Sequence, residues 1–143
     1  MASALVLDAN IAVWAVTANP YMEQANRLIE AASWIVVPSL WIAEVTSSLH
    51  KVFTVRGVPQ EQARQVLEDA LQIPDRVELE TPDLAWAAYL WADRLGQLAA
   101  YDGFYVALAE RLGLVLWTAD RDLYRRARKA GADFVKSFPD EWL

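Results

Sequence analysis

Two apolar runs that end on aspartate constrain this chain more than any other feature. Ala4-Leu5-Val6-Leu7 is apolar at every position and stops at Asp8, and Leu114-Val115-Leu116-Trp117 leads through Thr118-Ala119 to Asp120. A strand with one wet face alternates apolar and polar residues. An unbroken apolar run therefore predicts a strand buried on both faces, as in a parallel sheet covered by helices. Longer helical stretches lie between the short β-branched runs, and that alternation predicts an α/β fold with a mostly parallel central sheet.

The remaining elements follow from their punctuation. A first helix is expected over about 22–32, then a strand at Trp34-Ile35-Val36-Val37. Pro38-Ser39 stops that strand, with Ser39 as N-cap of a long helix to Arg56 that Gly57 ends. Another helix is expected from near Pro59 to about Gln72, followed by a turn at Pro74-Asp75 and a short strand over 77–80. Thr81-Pro82 reads as a cap and first helical residue, where proline's missing N–H costs nothing. Its helix should reach about Leu95. A helix over 102–112 closed by Gly113, the strand 114–117, a helix over 121–130 closed by Gly131 and an edge strand at Phe134-Val135 complete the reading.

With 143 residues and no repeat or linker, residues 1–143 read as a single domain. There is no cysteine, which excludes disulfides and thiolate metal sites. The N-terminal apolar run is cut off by Asp8, too short for a signal peptide. The stretch from Ala31 to Ala43, interrupted by Pro38, falls short of the roughly 20 residues of a membrane span. The expectation is a soluble, cytoplasmic protein without a membrane partner. A net charge of −6 counts weakly against nucleic acid, which is normally held by Lys and Arg. Two bound divalent cations would cancel four of those charges, however, and Arg121, Arg125, Arg126, Arg128 and Lys129 crowd one short segment.

The acidic positions carry the chemistry. In open α/β sheets ligands gather at the carboxyl ends of the strands, where strand order reverses. Asp8 and Asp120 follow strands, and Asp102 starts a helix just before the second of them. Each alone reads more readily as an N-cap; their clustering is what points to function. Glu44 lies in Trp41-Ile42-Ala43-Glu44-Val45, a stretch that otherwise reads as core. At helical spacing Ile42, Val45, Leu49 and Val52 share one face, with Glu44 at its edge. A carboxylate packed against apolar groups is costly unless paired or metal-bound. Converging carboxylates need a cation, and hard oxygen donors suit Mg²⁺ or Mn²⁺. Such a centre activates water for phosphodiester hydrolysis. The sole histidine, His50, reads as a surface or packing residue.

Four segments together resemble the PIN-domain nucleases, and in particular the VapC-like toxins of bacterial toxin–antitoxin pairs. They are Leu5-Val6-Leu7-Asp8-Ala9-Asn10, Pro38-Ser39-Leu40-Trp41 through Glu44-Val45, Ala100-Tyr101-Asp102-Gly103-Phe104-Tyr105, and Thr118-Ala119-Asp120-Arg121-Asp122-Leu123. The resemblance covers nearly the whole chain in the right order. It implies a three-layer α/β/α PIN-like fold and an endoribonuclease using one or two Mg²⁺ or Mn²⁺ ions. Asp8, Glu44, Asp102 and Asp120 would be its catalytic and metal-binding quartet. Asn10 and Thr118 would support the site, and Asp122 would be an outer carboxylate or a complement to its helix's N-terminus. Also implied are an RNA substrate, a cognate antitoxin and a homodimer. Ser47 stands where many toxin relatives carry Asn, and Gly103 where Ala is common. Gly103 is expected to cost its helix up to roughly 1 kcal/mol relative to Ala.

Trp14 and Trp41 fall near the acids, where they could line a groove for an RNA base or an antitoxin anchor, but core or dimer packing is the preferred reading. The basic run from Arg121 through Arg125 to Lys129 would track an RNA backbone beside Asp120, with Arg121 and Arg125 as contacts, or be a solvated helix face. The alternatives to a toxin are a PIN nuclease of RNA processing and a catalytically silent RNA- or protein-binding module. A phosphatase with Asp8 as nucleophile is disfavoured by Asn10, which stands where such enzymes carry a second acid. A phosphate-accepting receiver domain is a poor fit for Glu44 on a helix.

Overall fold

The computed structural model describes residues 3–142. Five strands, β1 (Ala4–Leu7), β2 (Trp34–Pro38), β3 (Arg76–Glu78), β4 (Val115–Thr118) and β5 (Val135–Ser137), form a sheet in the order β3-β2-β1-β4-β5. Every neighbouring pair is parallel. β1 lies at the centre, with Leu5 opposite both Ile35 of β2 and Val115 of β4. Leu5, Val6, Leu7, Ile35, Val36 and Val37 are all buried, the physical reason for their missing polar alternation. Each such side chain contributes about 1.5–3 kcal/mol by leaving water. An unpaired charge at Val6 would cost several kcal/mol.

The helices are α1 (Ala9–Val16), α2 (Met22–Ala31), α3 (Leu40–Arg56), α4 (Gln60–Leu71), α5 (Pro82–Leu95), α6 (Tyr101–Leu112) and α7 (Arg121–Lys129). α6 packs across β1, β2 and β4 with α5 against it, while α1 packs against α2, α3 and α4. The three-layer α/β/α arrangement is thus present, and its sheet is parallel throughout. Among the described residues no helix is long and apolar enough to cross a membrane. Thr81 caps α5 as expected, accepting from Leu84 N at 3.2 Å, and Pro82 occupies the first helical position.

Four expectations need correction. α1 was not anticipated: its Ala9, Ile11, Ala12, Val13 and Ala15 are buried, so it shows no polar stripe of the kind that reveals an amphipathic helix. Ser39 does not cap α3 with its side chain. Its hydroxyl instead bonds Glu80, whose other oxygen accepts from Leu40 N at 2.7 Å. A carboxylate from across the sheet therefore supplies the negative charge that a helix N-terminus favours. The buried stripe of α3 runs through Trp41, Val45 and Leu49, whereas Ile42 is exposed. Finally, a Cβ on Gly103 would lie 2.3 Å from the Ala88 carbonyl oxygen. Glycine is required there by the close approach of α5, which reverses the expected sign of its effect on stability.

Candidate active site

Adjacency of β1 and β4 brings two strand ends side by side. β2 and β3 extend to one side of this pair and β5 to the other, so the crevice lies where strand order reverses. Asp8 N donates to Trp117 O at 3.0 Å, carrying the ladder one residue past β1. The Thr118 hydroxyl, fully buried, donates to Oδ2 of Asp8 at 2.7 Å and accepts from Asp120 N at 3.0 Å. Asn10 makes a second stitch: its Nδ2 lies 3.4 Å from Asp8 Oδ2, and its Oδ1 accepts from Ala119 N at 3.2 Å.

The other acids arrive on helices. Glu44 projects from α3, and its Oε1 accepts from the Tyr105 hydroxyl of α6 at 2.6 Å. Asp102, one turn before Tyr105, uses Oδ2 to accept from Gln97 Nε2 at 2.8 Å. Gln97 sits in the α5–α6 turn, which begins at Gly96 with φ of 68°. Arg126 of α7 pins that turn by donating to the Leu95 and Gly96 carbonyls, each at 3.0 Å. Asp120 caps α7, its Oδ1 accepting from Asp122 N at 2.9 Å and Leu123 N at 3.1 Å. The capping reading of Asp120 therefore holds, and it occupies one oxygen only.

All four acids share this arrangement. One carboxylate oxygen takes the hydrogen bonds just described, and the other meets no side-chain donor among the described residues. The carboxylates also sense one another. Burial pushes Asp8 up to about 8, with the negative charges of Asp102 and Glu44 adding to the rise and the Thr118 hydrogen bond opposing it. Burial likewise raises Glu44, opposed by Tyr105 and helped by Asp102. It raises Asp102, opposed by Gln97 and helped by Asp120 and Asp122. Tyr105 is held well above its ordinary value by burial and by the charges of Asp8 and Glu44, so its hydroxyl remains a donor.

The donor set fits a hard cation: oxygen only, mutually repulsive, and oriented from outside. A further buried atom points the same way. Oε1 of Gln97 has no partner, and Gln97 lines the same cleft of about 590 Å³ as Glu44, Asp102, Tyr101 and Arg126. A water on a cation would satisfy such an orphan. Among the described residues no three acids or imidazoles stand within reach of a single ion, so any ion here would complete its shell with water, as Mg²⁺ commonly does.

Several expected site residues are engaged in other contacts. Asp122 is drawn into ion pairs with Arg126 at 2.8 Å and Arg125 at 3.6 Å, and the Arg126 hydrogen bond holds its carboxyl below the usual range. Trp41 is fully buried and presents no surface to RNA or an antitoxin. Trp14 is half-buried, stacked on Tyr21 at 4.6 Å and packed against the core. Arg121 pairs with Asp140 at 3.4 Å. His50 lines a second cleft of about 590 Å³ between α3 and α4, with Leu49, Phe53 and Leu67. No carboxylate lines that cleft, whereas Glu44 and Asp102 line the acidic one. Tyr105 and Gln97 received no role from sequence, and Arg126 only a place in the basic run. Tyr105 lies within the Tyr101-to-Tyr105 segment and one turn from Asp102, the one signal that pointed to it.

A model of the PIN domain matches residues 5–129, and the chain belongs to the PIN domain family. No curated protein sequence matches it significantly. Among solved structures, a chain of a toxin–antitoxin complex from Klebsiella pneumoniae is 18% identical with a TM-score of 0.69, covering 93% of this chain and 96% of that one. VapC20 of Mycobacterium tuberculosis, described as a sarcin–ricin-loop-cleaving toxin, is 18% identical with a TM-score of 0.66, covering 85% and 93%. FitAcB of Neisseria gonorrhoeae is 17% identical with a TM-score of 0.69, covering 97% and 99%. At these identities the likeness establishes a common fold.

Proposed function

We propose that this chain, as a single nuclease domain, is a divalent-metal-dependent endoribonuclease that hydrolyses RNA phosphodiester bonds, and that it serves in the cytoplasm as the toxin of a type II toxin–antitoxin pair. One observation carries the reading: four carboxylates from separate elements lie near enough to raise one another's pKa or share a cleft, each with one oxygen held by the hydrogen bonds described and the other meeting no side-chain donor among the described residues. Membership of the PIN family and a fold shared with toxin–antitoxin chains support it. RNA as substrate, a cognate antitoxin and a homodimer rest on that same likeness.

Asp8, Glu44, Asp102 and Asp120 would hold Mg²⁺ or Mn²⁺, which when bound activates water and neutralises charge on the scissile phosphate. Thr118 and Asn10 fix the rotamer of Asp8. Tyr105 fixes Glu44 and Gln97 fixes Asp102, so the acids are preorganised before any ligand arrives. Wild type is expected to cleave single-stranded RNA with Mn²⁺ and to lose that activity as Asp102→Asn. Equal cleavage by the variant would sink the reading. A silent binding module is the second reading, supported by the absence, among the described residues, of three acids able to hold one ion; it predicts RNA or protein binding with no cleavage at any metal concentration.

A further inference from the structure

α7 carries five basic residues, and the fold divides them between two sides. Arg121 pairs with Asp140 at 3.4 Å, and Arg128 lies 3.9 Å from Asp133 and 3.6 Å from Glu141, so acids of the C-terminal segment neutralise that side. Arg125, Arg126 and Lys129 lie towards α5, where Arg94 joins them around a groove of about 500 Å³. Asp122 is the one carboxylate among the residues lining it, so four cations face a single anion.

Two of the cations are already fixed. Arg94 lies over the Trp91 ring, 3.8 Å from its centroid, and donates to Ala130 O at 3.0 Å. Arg126 is held by Asp122 and by the Leu95 and Gly96 carbonyls. Their remaining donors meet an anion with little further loss of rotamer freedom. Arg125 and Lys129 are exposed. Gly96 and Arg126 line both this groove and the acidic cleft, so the two share a wall.

We propose that the α5–α7 groove binds the phosphate backbone of single-stranded RNA beside the bond to be cut, an inference that rests on the nuclease reading. A cluster of carboxylates repels a polyanion, so attraction must come from another surface close by. The guanidinium fork suits phosphate oxygens, and this groove gathers cations in excess next to the acids.

The test uses the full chain and a fluorescein-labelled oligouridylate, with binding read by anisotropy over a salt series. Ca²⁺ replaces Mn²⁺, and a gel confirms intact RNA. Arg125→Ala with Lys129→Ala should weaken binding about tenfold and lower the slope of log affinity against log salt by about 1.4, at about 0.7 per phosphate contact. Arg64→Ala on α4 should change neither. Unchanged affinity and slope in the double variant overturns the proposal, as does wild type that binds no RNA. Polyglutamate binding by wild type that is lost in the same double variant, with RNA binding intact, also overturns it and assigns the groove to an acidic protein. Cleavage of the same RNA in Mn²⁺ is scored separately. Cleavage with groove-independent binding removes the groove alone; groove-dependent binding without cleavage supports the groove and removes the nuclease reading alone.

Discussion

The Thr118 hydroxyl bridges two neighbouring parallel strands, donating to Oδ2 of Asp8 at 2.7 Å while accepting from Asp120 N at 3.0 Å. One buried oxygen thereby sets the orientation of one candidate ligand and the backbone carrying another. Thr118→Val keeps the shape and removes both bonds. It should cost about 1–3 kcal/mol, the penalty for a stranded buried polar group, and lower cleavage beyond what that instability explains. Denaturant melts run beside cleavage assays separate the two effects. Full activity in a folded variant would remove Thr118 from the site.

Asp8 gives stability a definite pH dependence. Its carboxyl, raised by burial from 3.8 to about 8, keeps a proton in the folded chain that the unfolded chain has released. Between about pH 4 and pH 8 the native state binds more protons, so stability must fall as pH rises through that window. The raised values of Glu44 and Asp102 act in the same direction. In EDTA, Asp8→Asn should therefore melt at a temperature near that of wild type at about pH 5, and above it at about pH 9. A gap that stays constant with pH contradicts the assignment.

Gly103→Ala should destabilise the fold by about 1–3 kcal/mol, the usual cost of overpacking, because the added Cβ falls 2.3 Å from the Ala88 carbonyl oxygen. Helix propensity alone predicts the opposite sign. A thermal melt decides between them, and a higher melting temperature would mean that α5 moves away at little cost.

Arg126 acts on Asp102 at one remove, by holding the turn that carries Gln97. Arg126→Lys retains the charge but cannot serve two carbonyls and a carboxylate as a planar fork does. Its kcat is expected to fall by about tenfold, in the range seen when groups behind a metal ligand are lost, and Gln97→Ala should add little further loss. Additive losses in the double variant would show that the two residues act separately.

Much of this architecture was legible because burial on both faces leaves an unmistakable pattern. β1 reads as an apolar run and is buried on both faces, whereas β4, also apolar in sequence, alternates between buried Leu116 and Thr118 and half-buried Val115 and Trp117. The acids that follow the two strands had to share an edge once those strands paired. The segments around Glu44 and Asp102 added the helical acids by resemblance. What escaped was tertiary. α1 is buried nearly all round, so its sequence carries no amphipathic period. Tyr105, Gln97 and Arg126 reach the acids only because α6, the α5–α6 turn and α7 meet in space. Glu80 caps a helix 40 positions away in the chain, a partnership that local pattern cannot reveal. The role of Gly103 depends on how closely another helix approaches.

The central claim is that Asp8, Glu44, Asp102 and Asp120 together hold one or two divalent cations, with no more than two of the acids on any one ion. Calorimetric titration of Mn²⁺ into wild type and Asp8→Asn, each checked for its fold by circular dichroism, tests it most directly. Wild type should bind Mn²⁺, and Asp8→Asn should lose most or all of that affinity while remaining folded. A wild type that binds no Mn²⁺, or a variant that binds it equally well, would contradict the account and leave the four acids as structural groups.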